Sequence, residues 1–179
     1  MLRCTFAIAV MLGSVVPAAA QTSALAKHNT DAPIDFDADR IEVRDTDSQA
    51  LLTGSVRITQ ASMTLTADQV KLYYRRAAGK SPEIQRLDAQ GSVKLTSPSE
   101  RATGRFGIYD VTQRQVTLIG DVVLTRGESA LKGQRLVIDL DSGRSTLDGA
   151  SSGGTKGGAT TSPGSRVSGR FVVPPRPPR

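Results

Sequence analysis

Three aspartates near the start of the chain have a spacing that could bind calcium. Asp35, Asp37 and Asp39 match the first oxygen ligands of a calcium-binding loop. Such a loop needs glycine at its sixth position and glutamate at its twelfth, where this chain has Arg40 and Thr46. We therefore predict no metal site, and we interpret the aspartates as solvated residues at the entry to a strand.

Nucleophilic catalysis lacks the residues that it needs. The segment Gly127-Glu128-Ser129-Ala130-Leu131 has no second glycine, which the sharp turn around a catalytic serine requires. His28 is the single histidine, and it lies within residues 21–31, which we predict to be a flexible N-terminal segment. Phosphate-binding and dinucleotide-binding glycine patterns are absent from the sequence. We predict no catalytic residue and no cofactor, and therefore a protein that is not an enzyme.

The composition narrows the possible functions further. The 179 residues include one cysteine, one histidine and no tryptophan, and 4% are aromatic. These counts argue against chemistry based on cysteine clusters, histidine clusters or tryptophan stacking. The length suits one domain with appendages. Function must therefore depend on how ordinary apolar and polar residues are arranged.

The first twenty residues have the pattern of a secretory signal peptide. Arg3 precedes an apolar stretch at residues 5–16, and the small residues Ala18 and Ala20 fit a cleavage site. We predict that residues 1–20 are a signal peptide cleaved after about Ala20; an uncleaved N-terminal anchor is the alternative. Cleavage would remove the only cysteine, Cys4, so the exported chain would have no disulfide.

The basic charge is concentrated at the C-terminal end. The net charge is +6, yet residues 150–179 contain five basic residues and no acidic one, and residues 21–149 are formally neutral. A neutral body argues against a nucleic-acid partner. Glycine, serine, threonine and proline are abundant in residues 150–179, so we predict a basic, disordered tail. Within it, residues 167–173 could add one strand.

Strands with one buried face are predicted for the middle of the chain. Apolar and polar residues alternate with period two, as in Leu52, Gly54, Val56 and Ile58. A unit of the form Gly-x-Val-x-(Leu/Ile)-Thr begins at Gly54 and at Gly91, and a close variant begins at Gly120. A second strand follows each glycine after 13 or 14 residues. Glycine within a strand usually marks a bend, so the repeats predict a sheet folded over into an open trough.

These motifs resemble a known family. The repeated unit, the stretch Ala67-Asp68-Gln69-Val70 and the opening Asp37-Ala38-Asp39-Arg40-Ile41 are similar to the OstA-like domain of lipopolysaccharide-transport proteins. The resemblance covers residues 32–149, which we take as the folded domain. It implies an all-β fold, an antiparallel, V-shaped and open-ended β-jellyroll.

The resemblance also implies a function and partners. The interior of such a jellyroll holds the acyl chains of lipid A, and the protein carries lipopolysaccharide through the periplasm from the inner to the outer membrane. Partners would be the inner-membrane and outer-membrane OstA-like components, joined by edge-strand addition, and further copies of the chain in a head-to-tail oligomer. The candidate docking edges are residues 34–43 and 144–147.

Alternation selects a set of apolar side chains that we expect to face inward and contact lipid. An ordinary core position is the alternative for each of them. The set comprises Ile41, Val43, Val56, Ile58, Leu65, Val70, Leu72, Val93, Leu95, Phe106, Ile108, Val122, Leu124, Leu136 and Ile138.

Two other functions stay open from the sequence. The first is a membrane-tethered sister component with the same domain, which would need a retained N-terminal helix. The second is a secreted β-solenoid enzyme acting on polysaccharide, which would need clustered carboxylates, whereas the acidic residues here are scattered.

Overall fold

The computed structural model describes residues 28–76, 78–79, 81–149 and 167–170. The predicted signal peptide and most of the predicted tail lie outside these residues. The described residues form ten strands: β1 (Ile34–Asp37), β2 (Arg40–Arg44), β3 (Gln49–Gln60), β4 (Met63–Arg75), β5 (Glu83–Thr96), β6 (Glu100–Asp110), β7 (Gln115–Arg126), β8 (Ser129–Asp139), β9 (Ser145–Asp148) and β10 (Ser168–Arg170). Their helical structure is limited to a 3-10 turn, Asp45–Asp47.

The strands form one antiparallel sheet. Its order is β1-β3-β4-β5-β6-β7-β8-β10. β2 pairs with the first half of β3 and β1 with the second half, so β1 and β2 together form one edge of the sheet. β9 and β10 divide β8 in the same way and form the other edge. β10 lies within the segment where the sequence allowed an additional strand.

A line of β-bulges crosses the sheet where the repeated glycines lie. Register shifts occur between Thr53 and Val56 in β3, between Gln90 and Val93 in β5, and between Ile119 and Val122 in β7. At each shift, two residues of the odd-numbered strand oppose one residue of its even-numbered neighbour. The pairs are Gly54-Ser55, Gly91-Ser92 and Gly120-Asp121, and both members of each pair have positive φ.

Glycine is required at the first position of these pairs. Gly54 has φ +79° and Gly91 has φ +77°, in the left-handed region where a side chain is strained. A Cβ atom at Gly54 would overlap the Asp39 carboxylate, and one at Gly91 would overlap the Asp68 carboxylate. The bends predicted from the repeated glycines are therefore built into the backbone.

The sheet folds over at this line into two half-sheets whose inner faces meet. Half-sheet A contains β1, β10 and the β3, β4, β5, β6, β7 and β8 segments 56–60, 63–67, 93–96, 100–104, 122–126 and 129–133. Half-sheet B contains β2, β9 and the complementary segments 49–53, 69–75, 83–90, 106–110, 115–119 and 135–139. One buried apolar cluster lies between them. The predicted all-β, antiparallel jellyroll is confirmed.

In the part of the chain that the structure describes, no helix has the length and apolar character needed to cross a membrane.

Candidate functional site

The apolar interior contains most of the side chains that the sequence placed there. Eleven of the fifteen predicted inward-facing residues are buried. They are Val56, Ile58, Leu65, Val70, Leu72, Val93, Leu95, Val122, Leu124, Leu136 and Ile138. Further buried residues that the prediction did not include share these rows, among them Leu52, Leu87, Val116 and Leu118. The two half-sheets thus enclose one apolar core; contact of these residues with lipid stays a prediction.

Ile41 and Val43 lie on the interior side of the sheet but are not covered. Ile41 is directly opposite buried Leu52, and Val43 is opposite buried Ala50, so each shares a face with the core. Their side chains are nevertheless 46% and 57% exposed, because β2 is an edge strand. Phe36 of β1 is in the same situation, opposite buried Ile58 and itself exposed. The interior apolar surface therefore continues onto an uncovered edge.

The structure corrects the predicted orientation of Phe106 and Ile108. Phe106 pairs with the exposed residues Gln90 and Ile119 and is 44% exposed on the outer face. Ile108 lies on the same outer side and is half-buried. The cause is the bulge residue Arg105, a single residue that reverses the alternation in β6, so that Gly107 and Tyr109 face inward instead.

The half-sheets are in close contact at two places in the interior. A cavity of about 10 Å³ is lined by residues of both half-sheets, including Leu65, Leu95, Tyr109 and Val116. Between Leu124 and Ile138 the half-sheets leave no space for a water molecule. The cavity is large enough for about one water molecule. An acyl chain could enter there only if the half-sheets moved apart.

One buried glutamine joins the two half-sheets. Gln60 at the end of β3 is 2% exposed, and its Oε1 accepts a 2.6 Å hydrogen bond from the hydroxyl of Tyr109 in β6. Its Nε2 donates to the carbonyl oxygens of Thr30, at 2.8 Å, and Ala32, at 3.0 Å. His28 Nε2 lies 3.2 Å from Gln60 Oε1, and His28 is buried. The sequence analysis did not predict this group. Gln60 nevertheless follows Val56 and Ile58 as the next alternate residue of β3, on the face that points to the interior.

An ion pair between a buried carboxylate and a half-buried arginine borders the interior of half-sheet A. Glu100 is 5% exposed, and its Oε1 lies 2.5 Å from Arg126 Nη2 on the facing position of β7. Glu100 lines the same narrow space as Leu95 and Leu124. A charged pair at this place gives the apolar interior a polar border next to the turns of half-sheet A.

The titratable groups with shifted pKa values have structural explanations. Burial raises the pKa of Tyr109 to about 12. A hydrogen bond to Asp45 raises the pKa of Tyr74, and the backbone N–H of Ser142 lowers the pKa of Asp139. The described residues contain no group of three or more histidines, cysteines, aspartates or glutamates that could hold a metal ion. The main feature available for binding is therefore the apolar interior between the half-sheets.

The three aspartates considered as calcium ligands lie on the edge strand β1 and just after it. Asp35 and Asp37 of β1 are opposite Thr59 and Arg57 of β3. All three aspartates are exposed. Asp39 follows β1 at the fold line, where its backbone N–H donates a 3.0 Å hydrogen bond to the carbonyl oxygen of Gly54. Their positions thus belong to the edge strand and its bend.

Comparison with known proteins identifies the same family that the motifs resemble. The family model described as "LptA/(LptD N-terminal domain) LPS transport protein" matches residues 35–144. An uncharacterized protein of Rhizobium meliloti is 32% identical over 125 residues, which are 67% of each chain. The lipopolysaccharide export system protein LptH of Pseudomonas aeruginosa is 27% identical over 156 residues, 80% of each chain.

Two further similarities concern part of a larger protein and the fold. The LPS-assembly protein LptD of Yersinia enterocolitica is 33% identical over 109 residues, which are 61% of this chain but 13% of LptD. The crystal structure of Pseudomonas aeruginosa LptH, described as the LptA homologous periplasmic component of the lipopolysaccharide transport device, superposes with a TM-score of 0.67 and 22% identity. The superposition covers 82% of this chain and 99% of the LptH chain. Because the family model spans more than half of the sequence, the chain belongs to the family of LptA and LptD N-terminal-domain lipopolysaccharide transport proteins.

Proposed function

We propose that this protein binds lipopolysaccharide by its acyl chains, in the periplasm, and carries it from the inner to the outer membrane without catalysing a reaction. The observation that supports this most strongly is the apolar interior, which continues onto the uncovered side chains of Phe36, Ile41 and Val43 at the N-terminal edge. Membership of the lipopolysaccharide transport family agrees with it.

The physical requirement for such transport is shielding of acyl chains from water. Burying one methylene group contributes about 0.8 kcal/mol, so a saturated chain is held by contact area and needs no specific hydrogen bond. The aliphatic rows of both half-sheets provide that area. The exposed edge residues would contact the chains first, and the eleven buried residues of the predicted set would contact them after the half-sheets separate. Phe106 and Ile108 are left out of the proposed lipid site because they lie on the outer face.

Neighbouring transport components would bind at the two edges of the sheet. Among the described strands, β1 and β2 pair only with β3, and β9 pairs only with β8. An edge strand presents backbone N–H and C=O groups that a strand of another protein can pair with. Pairing of the N-terminal edge with the C-terminal edge of a second copy would produce a head-to-tail oligomer, and the same geometry would join the inner-membrane and outer-membrane components.

The periplasmic location rests on the predicted signal peptide and on LptH, which is described as periplasmic. Cleavage after about Ala20 would release the chain. N-terminal sequencing of the protein from the periplasmic fraction tests this cleavage. A protein that still begins at residue 1 would support a membrane-tethered component instead.

A binding experiment with two forms of one ligand tests the proposed function. The purified protein is titrated with lipopolysaccharide and with the same lipopolysaccharide after complete deacylation, which keeps the sugars and phosphates. We expect binding of the acylated form and at least a tenfold loss for the deacylated form. Equal binding of both forms would contradict an acyl-chain site, and binding of neither would contradict the proposed function altogether.

A further inference from the structure

The segment before β1 contacts both half-sheets. We call residues 28–32 the strap. Pro33 connects the strap to β1 of half-sheet A. Gln60 of half-sheet A donates hydrogen bonds to the carbonyl oxygens of Thr30 and Ala32 in the strap. On the other side, Asp31 Oδ1 lies 3.3 Å from Nη2 of Arg114, in the β6–β7 turn of half-sheet B. The strap therefore bridges the gap between the two half-sheets.

The hydrogen bonds around Gln60 leave no freedom in its orientation. The carbonyl oxygens of Thr30 and Ala32 can only accept, so they fix the position of the Gln60 amide NH₂ group. Gln60 Oε1 must then face Tyr109 and His28, so the Tyr109 hydroxyl donates and His28 carries its proton on Nε2. All four hydrogen-bonding positions of the amide are occupied. Of these four hydrogen bonds, the one donated by Tyr109 joins the two half-sheets and therefore requires the closed arrangement.

The same residues lie where the interior has almost no free volume. Gln60 and Tyr109 both line the cavity of about 10 Å³ between the half-sheets. Separation of the half-sheets at this place would break the Tyr109–Gln60 hydrogen bond, which joins β6 of half-sheet B to β3 of half-sheet A. The closed state therefore competes with any state that admits an acyl chain there.

We propose that the strap, Gln60 and Tyr109 form a latch that holds the empty interior closed and opens when acyl chains enter. This inference rests on the proposed function, since it concerns regulation of the same lipid site. A protein that binds lipid only in its open state has an apparent affinity reduced by the fraction of molecules that are open. Weakening the latch therefore strengthens apparent lipid binding while it destabilises the empty protein.

The first test removes one hydroxyl. Tyr109→Phe keeps the ring in the interior and deletes the hydrogen bond to Gln60, and Tyr74→Phe is the matched control, because its hydroxyl bonds to Asp45 at 2.8 Å without joining the half-sheets. We expect Tyr109→Phe to bind lipopolysaccharide about fivefold more tightly than the wild type, the effect of one net hydrogen bond on an equilibrium. Tyr74→Phe should leave binding unchanged. Unchanged or weaker binding by Tyr109→Phe would contradict the latch.

The second test closes the latch covalently. In a Cys4→Ser background, Asp31→Cys and Arg114→Cys are joined by a short bis-maleimide, which ties the strap to half-sheet B. The control pair is Thr66→Cys with Lys94→Cys, which lie opposite each other on the outer face of half-sheet A. Both variants are compared before and after crosslinking.

We expect crosslinking of positions 31 and 114 to lower lipopolysaccharide binding at least tenfold, with no loss for the control pair. Equal binding before and after crosslinking at 31 and 114, in a protein whose wild type binds lipopolysaccharide, would overturn the latch and leave the proposed function intact. If the wild type binds no lipopolysaccharide, the proposed function is wrong and the latch is rejected with it.

Discussion

The hydroxyl of Tyr109 lies inside the core, and its burial has a consequence for stability at high pH. Burial raises the pKa of Tyr109 to about 12, whereas a tyrosine in the unfolded chain ionises near 10. Below pH 10 both states keep the proton, so this group adds no pH dependence to the free energy of unfolding. Between pH 10 and 12 only the unfolded chain releases it, so stability falls as the pH rises.

Comparison with Tyr109→Phe isolates this effect. Near pH 8 we expect the variant to be less stable by about 1 kcal/mol, the net value of the hydrogen bond to Gln60. As the pH rises from 10 towards 12, the advantage of the wild type should shrink, because the variant has no ionising group at this position. Urea denaturation at a series of pH values measures it. A constant difference across that range would mean that Tyr109 is not buried in this way.

The sequence predicted least well which way individual side chains point, towards the interior or towards the outer face. Phe106 is large and apolar, and simple alternation placed it inside, but the single bulge residue Arg105 shifts the alternation by one. The repeat contained the necessary signal. Aligning Arg105 with Asp68 and Gln134, the other single bulge residues, places Gly107 at the level of Val70 and Leu136. The Gln60–Tyr109 contact spans 49 residues of sequence, and local pattern alone does not predict such a contact.

At the scale of strands, the repeated glycines make a testable contribution to the fold. Gly91→Ala would place a methyl group in a left-handed conformation and against the Asp68 carboxylate. We expect a loss of about 2–4 kcal/mol in the free energy of unfolding, from backbone strain of about 1–2 kcal/mol and the steric overlap together. Chemical denaturation of the purified variant gives this value.

Gly79→Ala is the matched control. Gly79 also has a left-handed backbone, with φ +74°, but among the described residues, its chain neighbours apart, no atom lies within 4 Å of an added Cβ. We expect its loss to be limited to the backbone strain, about 1–2 kcal/mol. Equal losses for the two variants would show that the contact with Asp68 does not restrict the bend.

The element pattern was largely predictable because it depends on local rules. Period-two alternation marks strands, and a glycine at the same place in successive repeats marks a common bend. The odd-numbered strands keep their alternation across the bulge, because the bulge takes two residues, so Val56, Val93 and Val122 are buried on the face that alternation indicated. The even-numbered strands change it. The exposure of Ile41 and Val43 depends on the absence of a neighbour among the described strands, which is a property of the assembled sheet.

The edge-addition proposal predicts different effects for two adjacent proline variants. In an antiparallel edge strand, one backbone N–H bonds to the neighbouring strand and the next points away. Of Ile41→Pro and Glu42→Pro, one removes a bond to β3 and should lower stability, and the other removes an outward donor. The latter should keep the monomer folded and lose binding to a second copy, measured by analytical ultracentrifugation with circular dichroism as the control. Normal association of both folded variants would contradict strand addition at this edge.

At the scale of the whole molecule, the two half-sheets pack against each other, and the proposed function requires them to separate before an acyl chain can enter. The apolar rows of the two half-sheets pack against each other, the edge residues Phe36, Ile41 and Val43 extend that surface, and the strap crosses between the half-sheets. If the protein transports lipid, these side chains must give up their contacts with each other and form contacts with acyl chains instead. The proposed function therefore implies that the stability of the empty protein and its affinity for lipid are opposed.

Photo-crosslinking along one strand tests this account most directly. A photo-reactive amino acid is placed in turn at Val116, Thr117, Leu118 and Ile119 of β7, in cells that synthesise lipopolysaccharide, and each protein is probed for bound lipopolysaccharide. Val116 and Leu118 are buried in the interior, whereas Thr117 and Ile119 alternate onto the opposite face of β7, where Thr117 is also buried and Ile119 is exposed. The account predicts crosslinks at Val116 and Leu118 alone. Crosslinks at Thr117 and Ile119 alone, or at all four positions equally, would contradict it.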